Sequence, residues 1–266
     1  TLAENVGVGK RGTFYDGVGA LRDVVQNHML EMLALTAMDQ PRAFDAQSIR
    51  DERAKVLEAI ECVESGVRGQ YDGYTKEGNV DPHSATETFV ALKLMLGVPR
   101  WKGVPFYLRT GKMLGKKVTE ISIHFKKPIV CTDDLCLFPE KDVLRNVLAI
   151  RVEPDEGIAL RLMAKKPGFG MTLAPVEMEF TYKQAFASID QPAAYERLLL
   201  DTIRGDQTLF ARTDGIDASW QLVTKILHGW AGQKELPIIY DPGSWGPKEA
   251  DQLIQKDSRH WFLDEP

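Results

Sequence analysis

A histidine with polar neighbours lies in a segment that otherwise has the apolar spacing of a buried helix. His28 and Asp23 both fall within Ala20–Met38, where apolar residues recur at intervals of three and four. An imidazole, with a free pKa of about 6.5, is suited to removing a proton at neutral pH. On an α-helix the two side chains are about 140° apart, so they do not stack but can flank one ligand. A histidine buried in the core is the alternative.

A second group of chemically capable residues follows a predicted strand. The stretch Gly111–Lys117 reads GKMLGKK, and Arg109 stands just before it. Two glycines and four nearby basic residues are suited to holding an anion such as a phosphate. A solvated basic turn between two strands is the alternative reading.

The segment Gly7–Gly12, GVGKRG, fits the spacing of a dinucleotide-binding glycine motif. That motif works only between a buried strand and a helix that opens at once, because the helix N-terminus then meets the pyrophosphate. Only six residues precede the segment, and TFYD follows it. We therefore assign it no cofactor.

Composition and charge exclude several classes of protein. The 266 residues include 38 acidic and 33 basic ones, a net charge of −5, which argues against a nucleic-acid partner. No apolar run approaches the ~20 residues of a membrane helix, and the N-terminus has no secretion signal. Three cysteines without C-x-x-C spacing indicate neither a disulfide framework nor a metal site. We expect a cytoplasmic globular protein.

The hydrophobic periodicity changes along the chain. Ser84 and Glu87 have the spacing of a capping box, which predicts a helix through Leu96, and Ser65–Asn79 is predicted to be a loop. Alternation then predicts strands without intervening helices, and therefore an α+β fold with a large, mainly antiparallel sheet and helices packed on one face. The predicted strands are Val104–Leu108, Val118–Phe125, Asn146–Val152, Ile158–Met163 and Val176–Tyr182.

Several segments in collinear order resemble the glucose-6-phosphate dehydrogenase family. The resemblance covers essentially the whole chain and implies that residues 1–266 form that family's C-terminal substrate-binding and dimerisation domain. The matching segments are KRGTFYDGVGALRDVVQNH (Lys10–His28), RGQY (Arg68–Tyr71), TETF (Thr86–Phe89), WKGVPFYLRTGK (Trp101–Lys112), KKPG (Lys165–Gly168), AYERLLLD (Ala194–Asp201) and GSWGPKEAD (Gly243–Asp251).

The resemblance implies a role for five side chains. His28 matches the base that removes the C1 hydroxyl proton of glucose 6-phosphate as a hydride leaves for NADP, giving 6-phosphogluconolactone in the first step of the pentose phosphate pathway. Asp23 and Glu4 match carboxylates that accept hydrogen bonds from sugar hydroxyls. Lys112 and Lys117 match the bases that hold the phosphate. The family's sheet also implies a homodimer or tetramer.

Two family motifs do not occur in these 266 residues. One is the glycine-rich turn G-A-S/T-G-D-L, which binds NADP in an N-terminal domain. The other is D-H-Y-L-G-K-E, whose Asp orients the catalytic histidine. Since losing such an orienting acid slows a histidine base by orders of magnitude, we expect this polypeptide alone to be inactive. A non-catalytic module that binds sugar phosphate or only dimerises is the alternative function.

Two departures from the family concern its basic residues. Val118, Ser122 and Trp245 stand where animal enzymes have basic residues that clasp a second, structural NADP, so we expect no such site here. Glu153 stands where some members have a glutamine that touches the sugar phosphate. It therefore adds negative charge near a proposed anion site.

Overall fold

The structure is a computed structural model that describes residues 1–129, 131–132, 135–136, 138, 143–187, 194–232 and 235–264. These residues divide into two compact units. The helical unit comprises Leu2–Lys116 and the described residues of Gln191–Pro266, and the sheet unit comprises Thr1 and the described residues of Lys117–Asp190. That residues 1–266 act as one domain stays a prediction.

The chain alternates short helices with long strands. The strands are β1 (Leu2–Ala3), β2 (Ile60–Tyr71), β3 (Phe89–Leu96), β4 (Phe106–Gly111), β5 (Val118–His124), β6 (Cys131–Thr132), β7 (Leu135–Cys136), β8 (Val147–Glu153), β9 (Gly157–Lys165), β10 (Leu173–Thr181) and β11 (Ile238–Tyr240). The helices are α1 (Gly12–Asp16), a π-helix (Leu21–Met29), α2 (Leu30–Ala37), α3 (Ala46–Glu58), α4 (Tyr182–Ala185), α5 (Ala194–Arg204), α6 (Thr213–Ala231) and α7 (Lys248–Gln255).

Most strand pairs are antiparallel. Among the described residues, β1–β4 and β11–β2 are the parallel pairs. This mainly antiparallel pairing together with the helices confirms the predicted α+β class. No helix among the described residues is long and apolar enough to cross a membrane.

In the helical unit the strands lie in the order β1-β4-β3-β2-β11, and the core forms between β3, β4 and the helices. Because side chains alternate along β3, Val90, Leu92 and Leu94 face the π-helix, α2, α3 and α6. The other face of β3 and β4 contacts α7 and the C-terminal tail, through Lys93 and Tyr107 on Asp257. The predicted layer of helices is thus joined by one more helix on the opposite face.

In the sheet unit the order is β5-β8-β9-β10, and the two faces differ in chemistry. The register aligns Ile121, Ile150, Ile158 and Phe180 across one face. The opposite face carries Arg151, whose guanidinium pairs with glutamates of neighbouring strands. Four of the five predicted strands correspond to β5, β8, β9 and β10 within three residues.

The first half of the chain contains the errors. Ser84–Leu96 is not a helix, since Phe89–Leu96 forms β3, and much of the predicted loop Ser65–Asn79 belongs to β2. The fifth predicted strand, Val104–Leu108, begins and ends later, as β4. β3 is an apolar run buried on both faces, which periodicity cannot distinguish from a buried helix.

One cysteine differs from expectation. Cys131 is disulfide-bonded, and the β6–β7 register places Cys131 opposite Cys136. The three cysteines were expected to form no disulfide framework. The short hairpin brings together two of them that their spacing in the sequence did not connect.

Glu87 caps a helix other than the one predicted. Its carboxylate accepts a hydrogen bond from the Leu21 N–H at 3.0 Å, and its carbonyl accepts one from the Ala20 N–H at 2.9 Å. These donors belong to the first turn of the segment that carries Asp23 and His28. Gly19, with φ +76°, makes the contact possible, because a β-carbon there would collide with the Glu87 carboxylate. A buried side chain on the β2–β3 connection thus fixes the start of that segment.

We expect Glu87→Ala to lower the free energy of unfolding by about 1–3 kcal/mol, because a buried N–H loses its acceptor. Glu87→Gln keeps an acceptor oxygen and is the matched control. Burial raises the pKa of Glu87, so the ionised carboxylate opposes folding at neutral pH and ceases to do so as the pH falls through that pKa. Glu87→Gln should therefore be at least as stable as the original at pH 7, with the advantage shrinking toward pH 5. Urea unfolding followed by circular dichroism measures both effects, and equal stability of Glu87→Ala and Glu87→Gln would contradict the cap.

Candidate functional site

The segment that carries Asp23 and His28 is a π-helix. It runs from Leu21 to Met29, and the Leu30 N–H bonds to the Val25 carbonyl five residues earlier. A π-helix has more residues per turn than an α-helix, since its hydrogen bonds close at i→i+5, and such turns are frequent at functional sites. Asp23 and His28 are therefore about one π-turn apart along the helix, and the angle calculated for an α-helix does not apply.

The change of helical period also moves His28 away from the core. Val24, Val25 and Met29 are buried, but the imidazole is exposed, and its Nε2 lies 3.5 Å from Asn27 Nδ2. The alternative of a core histidine is therefore wrong. An exposed imidazole is accessible to a ligand that lies over this helix.

Asp23 has a partner that the sequence did not single out. Its carboxylate pairs with the guanidinium of Arg11 at 3.4 Å, and the Asp23 side chain remains partly exposed. Arg11 belongs to the glycine segment, and this ion pair connects that segment to the π-helix.

Two other predicted site residues form an ion pair. The ammonium of Lys112 bonds to the Glu4 carboxylate, and only 6% of the Lys112 side chain is exposed, against 32% for Glu4. The parallel pairing of β1 with β4 brings these two residues together, because Ala3 is in register with Gly111. Backbone bonds extend the pairing, from the Glu4 N–H to the Gly111 carbonyl and from the Leu114 N–H to the Glu4 carbonyl.

Tyr15 is the common neighbour of these groups. Its ring is 5.0 Å from the ammonium of Lys112, and the side chain is buried. Burial raises the pKa of the Tyr15 hydroxyl well above its ordinary value, and the nearby Glu87, Asp23 and Glu4 carboxylates raise it further. Glu4, Asp23 and Lys112 thus all lie around one protonated tyrosine.

Lys117 belongs to the sheet unit and is described within that unit alone. Its ammonium pairs with the carboxylate of Glu153, and both side chains are about half exposed. Each of the two lysines predicted to hold phosphate therefore has a glutamate as its counter-ion.

The glycine segment packs tightly instead of opening toward solvent. β1 before it has two residues, and Gly9–Arg11 forms a single 3₁₀ turn before the five-residue α1. A β-carbon on Gly12 would collide with the Gly78 carbonyl. These elements do not fit the strand and long helix that hold a dinucleotide.

Trp245 also has a definite place. The buried guanidinium of Arg109 lies between the rings of Trp245 and Trp261, at 4.7 and 4.4 Å from their centroids. Cation–π contacts of this kind are strongest away from water. Trp245 therefore fixes the C-terminal tail on β4, three residues before Lys112.

The helical unit thus combines an accessible base, two carboxylates and a buried ammonium. Such groups can take a proton, accept hydrogen bonds from hydroxyls and attract an anion. No cluster of three or more metal-ligating side chains occurs among the described residues. Sequence reasoning missed Arg11 and Tyr15, although both stand in the segment that carries the family resemblance.

Comparison with known proteins gives consistent results along the chain. A family model described as "Glucose-6-phosphate dehydrogenase, C-terminal domain" matches residues 1–262. A glucose-6-phosphate 1-dehydrogenase of Chlamydia pneumoniae is 46% identical over 279 aligned residues, which cover 98% of this chain and 54% of the relative. The corresponding protein of Mycolicibacterium smegmatis is 44% identical over 98% of this chain and 55% of its own length.

Solved structures agree with these relatives. A glucose-6-phosphate 1-dehydrogenase from Mycobacterium avium superimposes with a TM-score of 0.84 at 36% identity, covering 100% of this chain and 55% of that one. A glucose-6-phosphate dehydrogenase in complex with its substrate glucose 6-phosphate gives 0.88 at 33% identity, covering 98% and 55%. The chain spans about half the length of the relatives that it matches. It belongs to the glucose-6-phosphate dehydrogenase family, as a C-terminal domain of that family.

Proposed function

We propose that this chain supplies the substrate-binding and dimerisation part of an NADP-dependent glucose-6-phosphate dehydrogenase, which oxidises glucose 6-phosphate to 6-phosphogluconolactone. The observation that carries the proposal is the grouping of Glu4, Asp23 and Lys112 around Tyr15, with His28 on the same π-helix as Asp23. A cytoplasmic location and the absence of a nucleic-acid partner remain predictions.

In this proposal His28 is the general base. Its neutral imidazole takes the proton of the C1 hydroxyl, so that the C1–H electron pair can leave as a hydride and the C1 oxygen forms the lactone carbonyl. The imidazole becomes positively charged and returns the proton to water. Asp23 and Glu4 accept hydrogen bonds from other sugar hydroxyls and fix the ring over His28.

Lys112 and Lys117 are assigned to the phosphate. A phosphate dianion attracts an ammonium more strongly than one carboxylate does, so it can replace Glu4 at Lys112 and Glu153 at Lys117. The Glu4 carboxylate is then available to the sugar hydroxyls. The two glutamates therefore serve as counter-ions while no phosphate is bound.

NADP, when bound, accepts the hydride. The residues of this chain do not fit a dinucleotide at the glycine segment, because a two-residue strand and a five-residue helix replace the usual frame. The packing of Trp245 on Arg109 supports the absence of a second, structural NADP site. We therefore assign to this chain the sugar, the phosphate and the proton, and not the coenzyme.

Replacing the proposed base tests the catalytic role. In the complete gene product, His28→Asn should lower kcat by about 100-fold or more and change KM for glucose 6-phosphate by less than about threefold. His83→Asn makes the same change at another exposed histidine and is the control. If the two variants have equal kcat, His28 is not the base.

Calorimetry with glucose 6-phosphate tests the phosphate assignment on the 266-residue chain, with glucose as the control ligand. Lys112→Ala should weaken binding by about tenfold, since a hydrogen bond between charged groups is lost. Glu153→Gln frees Lys117 and should tighten binding by about two- to fivefold, as expected for removing one exposed competitor. Tighter or unchanged binding by Lys112→Ala would contradict the assignment.

The same titration separates the alternative function. Binding of glucose 6-phosphate by a gene product in which His28→Asn leaves the rate of NADP reduction unchanged would favour a non-catalytic module that binds sugar phosphate. That alternative is motivated by the described site residues, which contain binding groups for a sugar phosphate but no dinucleotide frame.

We further propose that the sheet unit forms a homodimer, or part of a tetramer, through its apolar face. Ile158, Val176, Met178 and Phe180 on this face are each at least 39% exposed. The register of β9 with β10 places them side by side. Apolar patches of this kind mark protein–protein interfaces, and a second copy of the same face is complementary to it in chemistry.

Met178→Asp should convert a dimer into a monomer, because it places an uncompensated charge at the centre of the apolar face. Glu177→Gln changes the adjacent residue on the opposite face of β10 and is the matched control. Sedimentation velocity measures both variants. The same oligomeric state for Met178→Asp and the original chain would contradict this interface.

A further inference from the structure

Lys112 has an unusual environment for a lysine that is assigned to phosphate. Its side chain is almost fully buried, and its backbone is fixed on both sides, with the N–H donating to the Thr88 carbonyl at 3.0 Å and the carbonyl accepting from the Tyr240 hydroxyl at 2.6 Å. The ammonium contacts the Glu4 carboxylate and the face of the Tyr15 ring. An ammonium removed from water needs such partners to remain charged.

The proposed function makes only one of these two contacts permanent. When Glu4 accepts a hydrogen bond from a sugar hydroxyl, its carboxylate no longer serves Lys112 alone. The ring of Tyr15 makes no such exchange, since its side chain is 1% exposed and lies within α1. The quadrupole of the ring stabilises a nearby cation, most strongly where water is excluded.

The ring, and not the hydroxyl, is the part of Tyr15 that makes this contact. Within the described part of the chain the buried Tyr15 hydroxyl has no hydrogen-bond partner. Removing an unsatisfied buried hydroxyl has little cost, whereas removing the ring takes away the contact with the ammonium. Phenylalanine therefore retains the feature that matters, and an aliphatic residue does not.

We propose that Tyr15 is a positioning residue for the phosphate end of the substrate, whose ring face holds the Lys112 ammonium in place when the Glu4 carboxylate turns to the sugar. This inference rests on the proposed function and adds to it a residue to which the family resemblance gave no role. Tyr15 acts through Lys112 and does not itself touch the substrate.

Kinetics of the complete gene product test the inference. Tyr15→Leu should raise KM for glucose 6-phosphate by about five- to tenfold with a much smaller change in kcat, because a cation–π contact at a buried cation is lost. Tyr15→Met, a flexible aliphatic residue, should behave in the same way and serves if Tyr15→Leu does not fold. Tyr15→Phe should restore KM to within twofold of the original. Tyr195→Leu removes an exposed tyrosine and is the control.

A double-mutant cycle separates positioning from general damage. In a Lys112→Ala background, Tyr15→Leu should change KM by less than twofold, because the ammonium it supports is already gone. Equal effects of Tyr15→Leu with and without Lys112 would overturn the inference, as would a KM for Tyr15→Phe as high as that for Tyr15→Leu. If Lys112→Ala alone leaves KM unchanged, the phosphate assignment of the proposed function fails first, and the role of Tyr15 fails with it.

Discussion

A positive charge held almost entirely out of water organises this part of the molecule. Lys112 can keep its ammonium charged only if a carboxylate and a polarisable surface replace the water around it. Glu4 supplies the carboxylate through the parallel pairing of β1 with β4, and Tyr15 supplies its ring from α1. Thr88 and Tyr240, from distant parts of the sequence, hold the backbone of the same lysine. One charge thereby brings together the two ends of the helical unit's chain.

The two units divide polar work differently. In the helical unit, charged groups are buried and few, and each has a named partner. In the sheet unit, one face carries an ion-pair network around Arg151, which contacts Glu120 and Glu179. The other face is apolar and open. A sheet with faces this different has a defined outer side, because only the apolar one gains by being covered.

The sequence predicts the sheet unit well and the helical unit less well, for a physical reason. β5, β8, β9 and β10 alternate because one face is apolar and the other polar, which is the pattern that periodicity detects. β3 has no such alternation, and Glu87 imitates the cap of a helix that does not form while capping another one. Within the site, the residue types were recognisable. The helical period and the contact of Tyr15 with Lys112 depend on three-dimensional packing that no local pattern records.

The π-helix also determines how this segment can change in length. Over Leu21–Met29 the chain accommodates more residues per turn than an α-helix would. A deletion of one residue here would allow the ordinary α-helical hydrogen bonds to close, and every side chain beyond the deletion would rotate about the axis. His28 would turn toward the strands, and Met29 would turn toward solvent. Substitutions can be absorbed along this segment, but its residue count cannot vary, so insertions and deletions are confined to the loops before Gly19 and after Ala37.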